Sequence, residues 1–321
     1  MTRPRRLFRW AGAKGHLVSS FAPALRALLA RGPGQLVSLF YGAGVLEAAI
    51  AGGHPHVGAD ANPDLLALYS ELQRDPAALH ATLLDLDRDA PRTRTGYLAL
   101  RATQPSDSLV RAARFLWLNS FAFNGLWRVN RAGQHNVPAD PARLQRQDAL
   151  PDLCRILAAA DLVRELQLAS DWRAAAAAAR PGDVVLADPP YLGGFVAYTR
   201  DGFSRAEQVE LSLCLRDLAA SGCTILAFNS PAAAALYEGW PGVFLRARSG
   251  RISADGASRQ SVPELLCCAA APGAAALLRA LFADELRRGR LVALSPSSSL
   301  SLSEEASYGP ADDALPGTHA A

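Results

Sequence analysis

Apolar residues form short continuous runs in two regions of the chain, and between these regions they recur at the spacing of amphipathic helices. Short apolar runs bounded by glycine or proline are typical of buried strands. Four such strands are predicted, in LVSLF (36–40), HVGAD (56–60), DVVLADPPY (183–191) and CTILAFNS (223–230). The first strand leads into a glycine turn, YGAG, and an alanine-rich helix. Together with the second strand, these elements predict a nucleotide-binding βαβ unit.

Residues 63–182 are predicted to be mainly helical, with one glycine- and asparagine-rich loop or hairpin at 123–140. About 120 helical residues between two groups of strands indicate a lobe inserted into an α/β sheet. The predicted organisation is a catalytic domain of residues 1–62 and 183–290, a helical lobe of residues 63–182 and a disordered tail of residues 291–321. After a helix that begins at Ser204, residues 243–253 and 261–270 are predicted to pair antiparallel around a loop at 249–261.

Composition limits the kinds of protein that this sequence encodes. Of its 321 residues 50% are hydrophobic and 20% are charged, which excludes a disordered or fibrous chain. No apolar run reaches the roughly 20 residues of a membrane span, and the basic N-terminus lacks a secretory signal, so a cytoplasmic protein is predicted. The net charge of +3 does not by itself identify a nucleic-acid partner. The five cysteines lack C-x-x-C spacing, so they are predicted to be small core residues and not ligands of zinc.

The N-terminal segment RWAGAK contains Trp10 and Lys14, and Lys14 is the single lysine among 33 basic residues. A lysine that is kept while arginine is used everywhere else indicates a position that requires a compact ammonium, for example to pair with a cofactor carboxylate. Two alternatives stay open. Lys14 is an accidental survivor of a GC-rich genome, and Trp10 is an ordinary core aromatic.

A glycine motif, Phe40-x-Gly42-x-Gly44, follows the first predicted strand. It lacks the third glycine of a dinucleotide fingerprint, so it does not indicate NAD. Asp60 lies eighteen positions after Gly42, close to the ~20 residues that separate a glycine turn from a ribose-binding acid. This pattern fits an adenosine cofactor without a pyrophosphate. The alternative is a plain strand-to-helix turn.

The sequence Asp188-Pro189-Pro190-Tyr191 stands at the carboxyl end of a predicted strand, where open α/β sheets bind their ligands. Because the prolines restrict the turn, the Asp188 carboxylate and the Pro189 carbonyl are expected to accept both hydrogens of an exocyclic amine. Tyr191 offers a flat face to the ring that carries the amine. Two acceptors at one nitrogen direct its lone pair toward an electrophile. The alternative is an Asp-Pro turn with a packed tyrosine.

Seven motifs resemble, in order and approximate spacing, those of the Dam-type DNA adenine-N6 methyltransferases of the alpha group, which use S-adenosylmethionine. The motifs are RWAGAK, FYGAG, GADANPDLLALY, NGLWRVNRAGQHNVP, ADPPY, FVAYTRDGFSRAEQ and RISADGASRQSVPELL, within residues 6–270. The resemblance implies an α/β fold, a Rossmann-like class I methyltransferase sheet with an inserted helical DNA-recognition lobe. It also implies methylation of a flipped adenine in double-stranded DNA, at GATC or a related site, by a monomer without metal or membrane.

Carried over by position, the resemblance implies three groups of site residues. S-adenosylmethionine is expected to contact Trp10, Lys14, Phe40, Gly42, Gly44, Asp60 and Asp188. The flipped adenine is expected at Asp188, Pro189, Pro190 and Tyr191, and DNA is expected at Arg9, Phe123, Asn124, Leu126, Arg128 and Pro138. The chemistry of the loop agrees, since arginine reads guanine, leucine meets a thymine methyl and phenylalanine wedges into a vacated stack. The alternative is a glycine-rich connector with incidental arginines.

Two departures from the family pattern bear on cofactor binding. Ala13 replaces a glycine and is expected to strain a turn that needs a positive φ, and Ser38 replaces an acidic residue before Phe40. These departures keep open a non-catalytic DNA- or cofactor-binding module. An RNA adenine methyltransferase and a cytosine-N4 methyltransferase also stay open, because the Asp188 turn does not identify the ring that carries the amine.

Overall fold

The structure, a computed structural model, describes residues 7–194, 202–240, 242–249, 261–269, 275–289 and 291–293. In these ranges the strands are β1 (Leu36–Ser38), β2 (His56–Ala59), β3 (Leu166–Ala169), β4 (Val184–Ala187), β5 (Thr224–Asn229), β6 (Gly242–Ser249), β7 (Ser261–Ala269) and β8 (Val292–Ala293). The helices are α1 (Val18–Leu29), α2 (Val45–Ala51), α3 (Pro63–Arg74), α4 (Pro76–Asp89), α5 (Arg94–Ala102), α6 (Ser108–Phe121), α7 (Pro141–Leu144), α8 (Leu153–Val163), α9 (Trp172–Ala178), α10 (Arg205–Ala220) and α11 (Ala275–Arg287).

All these strands belong to one mixed sheet with the order β3-β2-β1-β4-β5-β7-β6-β8. The first five are parallel, while β7 is antiparallel to β5 and β6 is antiparallel to β7. The predicted α/β fold and the closing antiparallel pair are confirmed. Because parallel strands end at the same edge, the residues that follow β1, β2 and β4 are brought to one side of the molecule.

Helices cover both faces of the sheet. Strands β1, β2, β4 and β5 are buried along their whole length, which explains their continuous apolar sequences. On one face Trp172 of α9 and Leu211 of α10 pack on the sheet, and on the other face Phe21 of α1 and Ile50 of α2 do so. The Ser204 capping box that was predicted to start α10 is present. Helices α1 and α11 were not predicted from the sequence.

The helices between β2 and β3 enclose a second core. It is rich in aromatic side chains, among them Phe115, Trp117, Phe121 and Trp127. Aspartate or asparagine side chains cap the N-termini of α3, α4, α6 and α8 by accepting backbone hydrogen bonds. Phe8 and Tyr41 belong to the same cluster. The helical core is therefore continuous with the N-terminal segment and with the glycine turn after β1.

The prediction of a helical region up to residue 182 is wrong at one point. Leu166–Ala169 forms strand β3, which pairs parallel with β2. Helix α8 ends at Val163, and the backbone then bonds to the open edge of β2, so pairing with the sheet overrides the local helical pattern. Since β3 belongs to the sheet, we propose that the lobe comprises residues 63–165.

Two smaller predictions also need correction. The tail was predicted to be disordered from residue 291, but Leu291 is buried and Val292–Ala293 pairs with β6, because an edge strand of the sheet is open there. Residues 294–321, and residues 250–260 of the loop predicted at 249–261, lie outside the described residues. Three cysteines are buried as predicted and Cys214 is partly buried, whereas Cys154 is exposed in the first turn of α8.

The described residues contain neither a candidate membrane-spanning helix nor a candidate metal site. None of the helices there is both long enough and apolar enough to span a membrane. Among those same residues, no three histidine, cysteine, aspartate or glutamate side chains form a group that could hold a metal ion.

Candidate active site

The glycine motif forms the turn between β1 and α2. Gly42 (φ 51°) and Gly44 (φ 59°) both adopt the left-handed conformation, which residues with a Cβ rarely do. A Cβ at Gly44 would lie 2.3 Å from the Tyr41 ring, and one at Gly42 would lie 3.0 Å from the Trp10 indole nitrogen. The two glycines are therefore required both by the backbone conformation and by close packing.

Asp60 follows β2 and ties the glycine turn to the next loop. Its Oδ2 accepts a hydrogen bond from the Gly42 amide at 2.8 Å, and its Oδ1 accepts one from the Asn62 amide at 2.8 Å. Burial raises the pKa of Asp60 to about 6, although both amides favour the ionised form. Asp60 thus holds the turn in place, a task that its spacing in the sequence does not reveal.

Aromatic rings flank this turn on two sides. Trp10 lies beside Gly42, as described above, and is half-buried. Phe40 stacks on Trp172 at 6.3 Å between ring centroids and meets Phe203 edge-on at 5.4 Å. Both predicted cofactor contacts, Trp10 and Phe40, are therefore next to the glycine turn. Sequence reasoning missed Trp172 because its segment was predicted to belong to the helical lobe.

Lys14 lies at the centre of the site and is only 5% exposed. Its ammonium donates to Asp188 Oδ2 at 2.5 Å and to the Gly12 carbonyl at 3.0 Å, and it lies 3.6 Å from Glu264 Oε1. The structure thus places Lys14 beside the Asp188 turn, and its contact with a cofactor carboxylate stays a prediction. The compact ammonium of lysine fits among these close oxygen atoms, whereas the broader, planar guanidinium of arginine does not.

The expected strain at Ala13 is absent. Gly12 takes the positive φ of this turn, 83°, and Ala13 is not among the residues with a positive φ. The turn needs the left-handed conformation at one position only, so alanine is accommodated next to it.

Ser38, the second departure from the family pattern, lies beside a buried acid. Its hydroxyl donates to Glu47 Oε1 at 3.2 Å, and Glu47 is 7% exposed. Burial raises the pKa of Glu47 to about 7, and the nearby charges of Asp188 and Lys14 act on it in opposite directions. The Glu47 carboxyl group, which comes from α2, therefore lies beside Ser38, the position where the family pattern has an acidic residue. Sequence reasoning missed Glu47, whose signal is a lone charge in the apolar helix VLEAAIA.

The turn after β4 is held by buried amide side chains. The Pro190 carbonyl accepts a hydrogen bond from Gln208 Nε2 at 2.6 Å, and Gln208 Oε1 accepts one from Asn229 at 2.9 Å. Among the described residues, none donates a hydrogen bond to the Pro189 carbonyl. The Asp188 carboxylate and the Pro189 carbonyl are therefore neighbours at this turn, and their role as acceptors for an amine stays a prediction.

Tyr191 meets a second buried carboxylate. Its hydroxyl donates to Glu264 Oε1 at 2.5 Å, and Glu264 is 1% exposed. Burial raises the pKa of Asp188, the Lys14 ammonium opposes this rise, and the Glu264 charge adds to it. Sequence reasoning missed Glu264, and the available signal was a single acid inside the otherwise apolar strand SVPELLCCA.

Residues 123–138, here called the 123–138 hairpin, alternate between inward and outward positions. Its arms meet at the antiparallel bridge between Val129 and His135, and Trp127 and Val137 are also buried. The intervening residues form the outward face. On that face lie the predicted DNA contacts, with Leu126 half-buried and the others exposed: Phe123, Asn124, Arg128 and Pro138.

Two residues of this face are held in defined conformations. Asn124 has φ 54°, the one positive φ of a non-glycine residue in the described chain. Arg128 Nε donates to Asn136 Oδ1 at 2.8 Å, and no hydrogen bond of its terminal amines to another described residue occurs. A guanidinium fixed through Nε presents its two outer amines in parallel, which suits a bidentate contact.

Arg9 connects the hairpin to the rest of the site. The Asn119 side chain accepts from the Arg9 amide and donates to the Arg9 carbonyl, both at 2.9 Å. The Arg9 side chain lies against Gly125, where a Cβ would be 2.5 Å from it. The segment from Arg9 to Lys14 thus runs from the hairpin past Gly42 to the Asp188 turn.

A basic cavity of about 450 Å³ lies beside Arg9. Its lining holds four arginines and a single acid, Arg9, Arg143, Arg146, Arg155 and Asp148. Burial and the like charge of Arg9 lower the pKa of Arg143. The lining also includes Asn119 and Ser120 of α6, the helix that leads into the 123–138 hairpin. The electrostatics of this surface favour an anion next to the predicted DNA contacts.

Comparisons with known proteins all indicate the same family. The family model described as D12 class N6 adenine-specific DNA methyltransferase matches residues 10–241. The DNA N-6-adenine-methyltransferase of Escherichia phage P1 is 35% identical over 237 residues, which cover 71% of this chain and 30% of the phage protein. The DNA adenine methylase of Vibrio cholerae is 29% identical over 277 residues, covering 83% of this chain and 96% of that protein. The retron Ec67 DNA adenine methylase of Escherichia coli is 28% identical over 273 residues, 83% of this chain and 91% of that protein. The chain thus spans less than a third of the phage protein and most of the other two.

Proposed function

Since the chain belongs to the D12 class of N6 adenine-specific DNA methyltransferases, we propose that it transfers a methyl group from S-adenosylmethionine to adenine N6 in duplex DNA. The observation that carries this proposal is the pair of acceptors at the end of β4. The Asp188 carboxylate and the Pro189 carbonyl are adjacent in a turn that Gln208 and Asn229 hold in place.

The two acceptors match the two hydrogens of an exocyclic amine. When both hydrogens are held, the nitrogen lone pair turns away from ring conjugation and toward the electrophile. Lys14 bonds one oxygen of Asp188 and so fixes the orientation of this carboxylate. The rate enhancement then comes from positioning a neutral amine, without a covalent intermediate on the protein.

The glycine turn and its surroundings fit S-adenosylmethionine. Gly42 and Gly44 let the backbone approach a ligand closely, and the oxygens of Asp60 retain lone pairs for ribose hydroxyls. Trp10 and Phe40 supply apolar rings on two sides. Bound there, S-adenosylmethionine supplies the electrophilic methyl group of the reaction. Two carboxylates, Asp188 and Glu264, surround one ammonium, and this excess of negative charge favours a cationic ligand.

The outward face of the 123–138 hairpin and Arg9 support a contact with DNA. Adenine N6 is engaged inside a duplex, so the base must leave the stack, and the exposed Phe123 is a suitable wedge for the vacated position. Arg128 has the bidentate geometry that reads guanine in the major groove, which supports GATC or a related site. A DNA substrate also supports the predicted cytoplasmic location.

The test is a transfer assay with tritiated S-adenosylmethionine on duplex DNA, single-stranded DNA and RNA, followed by nucleoside analysis of the products. We expect N6-methyladenine in duplex DNA. N4-methylcytosine, or label mainly in RNA, would contradict the proposed substrate, and no transfer to any of the three would support a non-catalytic binding module.

A further inference from the structure

Glu264 is part of the site although it is more than 70 residues from Asp188 in the sequence. It lies in the first half of β7, the strand that runs antiparallel to β5. Because of this direction, the first half of β7 lies at the edge of the sheet where β4 and β5 end. The fold therefore delivers a buried carboxylate to the turn that contains Asp188 and Tyr191.

Glu264 lies near both Lys14 and Tyr191, and the distances show which of the two groups it contacts more closely. Lys14 is paired with Asp188 at 2.5 Å, whereas Glu264 lies farther from the ammonium, at 3.6 Å. Glu264 Oε1 accepts a hydrogen bond from the Tyr191 hydroxyl at 2.5 Å. A hydrogen bond to a charged acceptor is about twice as strong as a neutral one. Of these two partners the tyrosine is the closer one, and the lysine acts on Glu264 at longer range.

The consequence for Tyr191 is orientation. A phenol ring has two side-chain torsions, and an anchored hydroxyl at its far end fixes both of them. The Lys14 ammonium lies 5.4 Å from the centroid of the same ring, so the ring is held at its polar tip and along one side. A flat base that stacks on Tyr191 would meet a surface whose plane is already set.

We propose that Glu264 is a positioning residue, which holds the Tyr191 ring in the plane that the target base stacks on. This inference rests on the proposed function. A small misplacement of reacting groups costs up to about 10²-fold in rate. Loss of the Glu264 charge is therefore expected to lower kcat by roughly tenfold to a hundredfold, with little change in the affinity for S-adenosylmethionine.

The test is a double-mutant cycle with Glu264→Gln, Tyr191→Phe and the combined variant. Tyr191→Phe keeps the ring and removes the hydroxyl, whose hydrogen bond also opposes the rise that burial causes in the pKa of Asp188, so this variant should lower kcat at least as much as Glu264→Gln. If Glu264 acts through that hydroxyl, Glu264→Gln should have no further effect once Tyr191 is phenylalanine. Glu71→Gln is the matched control, because Glu71 is as buried as Glu264 and pairs with Arg74 outside the site.

A second readout follows the base directly. Duplex DNA with 2-aminopurine at the target position reports stacking by its fluorescence, and the two single variants should change this signal in the same direction. Loss of stability alone would not produce this change. If Glu264→Gln does not fold, Tyr191→Phe still decides, since wild-type kcat and fluorescence in that variant would overturn the proposal.

Two results count against the proposal. One is a wild-type kcat in Glu264→Gln, and the other is an effect of Glu264→Gln that persists in full when Tyr191 is phenylalanine, which would assign the residue to Lys14 and Asp188 instead. The cycle is run on whichever nucleic acid the wild-type protein methylates. A failure of the proposed substrate is thus distinguished from a failure of this inference.

Discussion

The Asp188 site and the 123–138 hairpin are built in opposite ways. The site gathers Lys14, Asp188, Tyr191 and Glu264 from three distant parts of the chain, and buried or partly buried charges lie 2.5–3.6 Å apart in it. The hairpin is made of consecutive residues whose alternation turns polar side chains outward. The first arrangement requires the whole fold, while the second is largely a local structure on the surface.

This contrast determines how each region responds to change. Buried charges in contact are coupled, so removal of one leaves the others unpaired and costs more than the contact itself. Exposed charges are screened by salt and act nearly independently. Substitutions in the Asp188 site should therefore change catalysis strongly and with pH. Substitutions on the hairpin and the basic cavity should change sequence choice or DNA affinity, with a dependence on salt.

The largest effect is expected for Asp188→Ala. The variant loses one of the two acceptors proposed for the amine, so turnover should fall by about 10²-fold or more. Binding of S-adenosylmethionine, measured by calorimetry, should remain detectable, since the glycine turn is untouched. The exposed Asp161→Ala serves as the control and should keep wild-type turnover. Asp188→Ala with more than about a tenth of wild-type turnover would show that this carboxylate does not hold the amine.

The second-largest effect is expected for Lys14→Met, which should lower kcat by roughly tenfold or more at neutral pH. Burial already raises the pKa of Asp188, and the Lys14 ammonium opposes that rise. Without the ammonium the pKa rises further, and Asp188 becomes protonated at a higher pH. The acidic limb of the kcat profile should therefore move to higher pH.

Lys14→Arg provides the comparison for that profile. It keeps the charge, so its acidic limb should stay near that of the wild type even if kcat falls because the guanidinium does not fit. A Lys14→Met profile that coincides with the wild-type profile would mean that Asp188 does not titrate in the reaction.

Arg128→Ala tests the hairpin. The variant should lose ~1–3 kcal/mol of discrimination at one base pair and accept other bases there, because the bidentate contact proposed for Arg128 reads one guanine. Detection of methyladenine across a random-sequence library, with wild type and variant, gives both motifs. An unchanged motif with uniformly lower activity would instead assign Arg128 to a phosphate contact.

The smallest effect is expected for Arg146→Ala in the basic cavity. Loss of one phosphate contact should weaken binding to all sequences alike and reduce the slope of log K against log salt by about 0.9. Arg164→Ala is a matched control, because Arg164 is also exposed and paired with an aspartate but lies outside the cavity. Equal salt slopes for both variants and the wild type would remove the cavity from the DNA contact surface.

Predictions from the sequence succeeded where the chemistry of a segment is local. The glycine turn, the strand ends before Asp60 and Asp188 and the Ser204 capping box depend on neighbours in the chain, and the structure confirms them. The loop or hairpin predicted at 123–140 is also local, and its arms meet at the Val129–His135 bridge. The assignment of these residues to cofactor, base and DNA stays a prediction.

The sequence by itself determined the class of fold, the order of the motifs and the turn that offers two acceptors. Only the tertiary structure decided which groups meet at that turn. Strand β3 exists because the edge of β2 is open to it, Lys14 pairs with Asp188 across 174 residues, and Glu264 arrives because β7 runs antiparallel to β5. Such contacts join residues that have no local relation, and their energy depends on burial, which exists only after the sheet and its helices have packed.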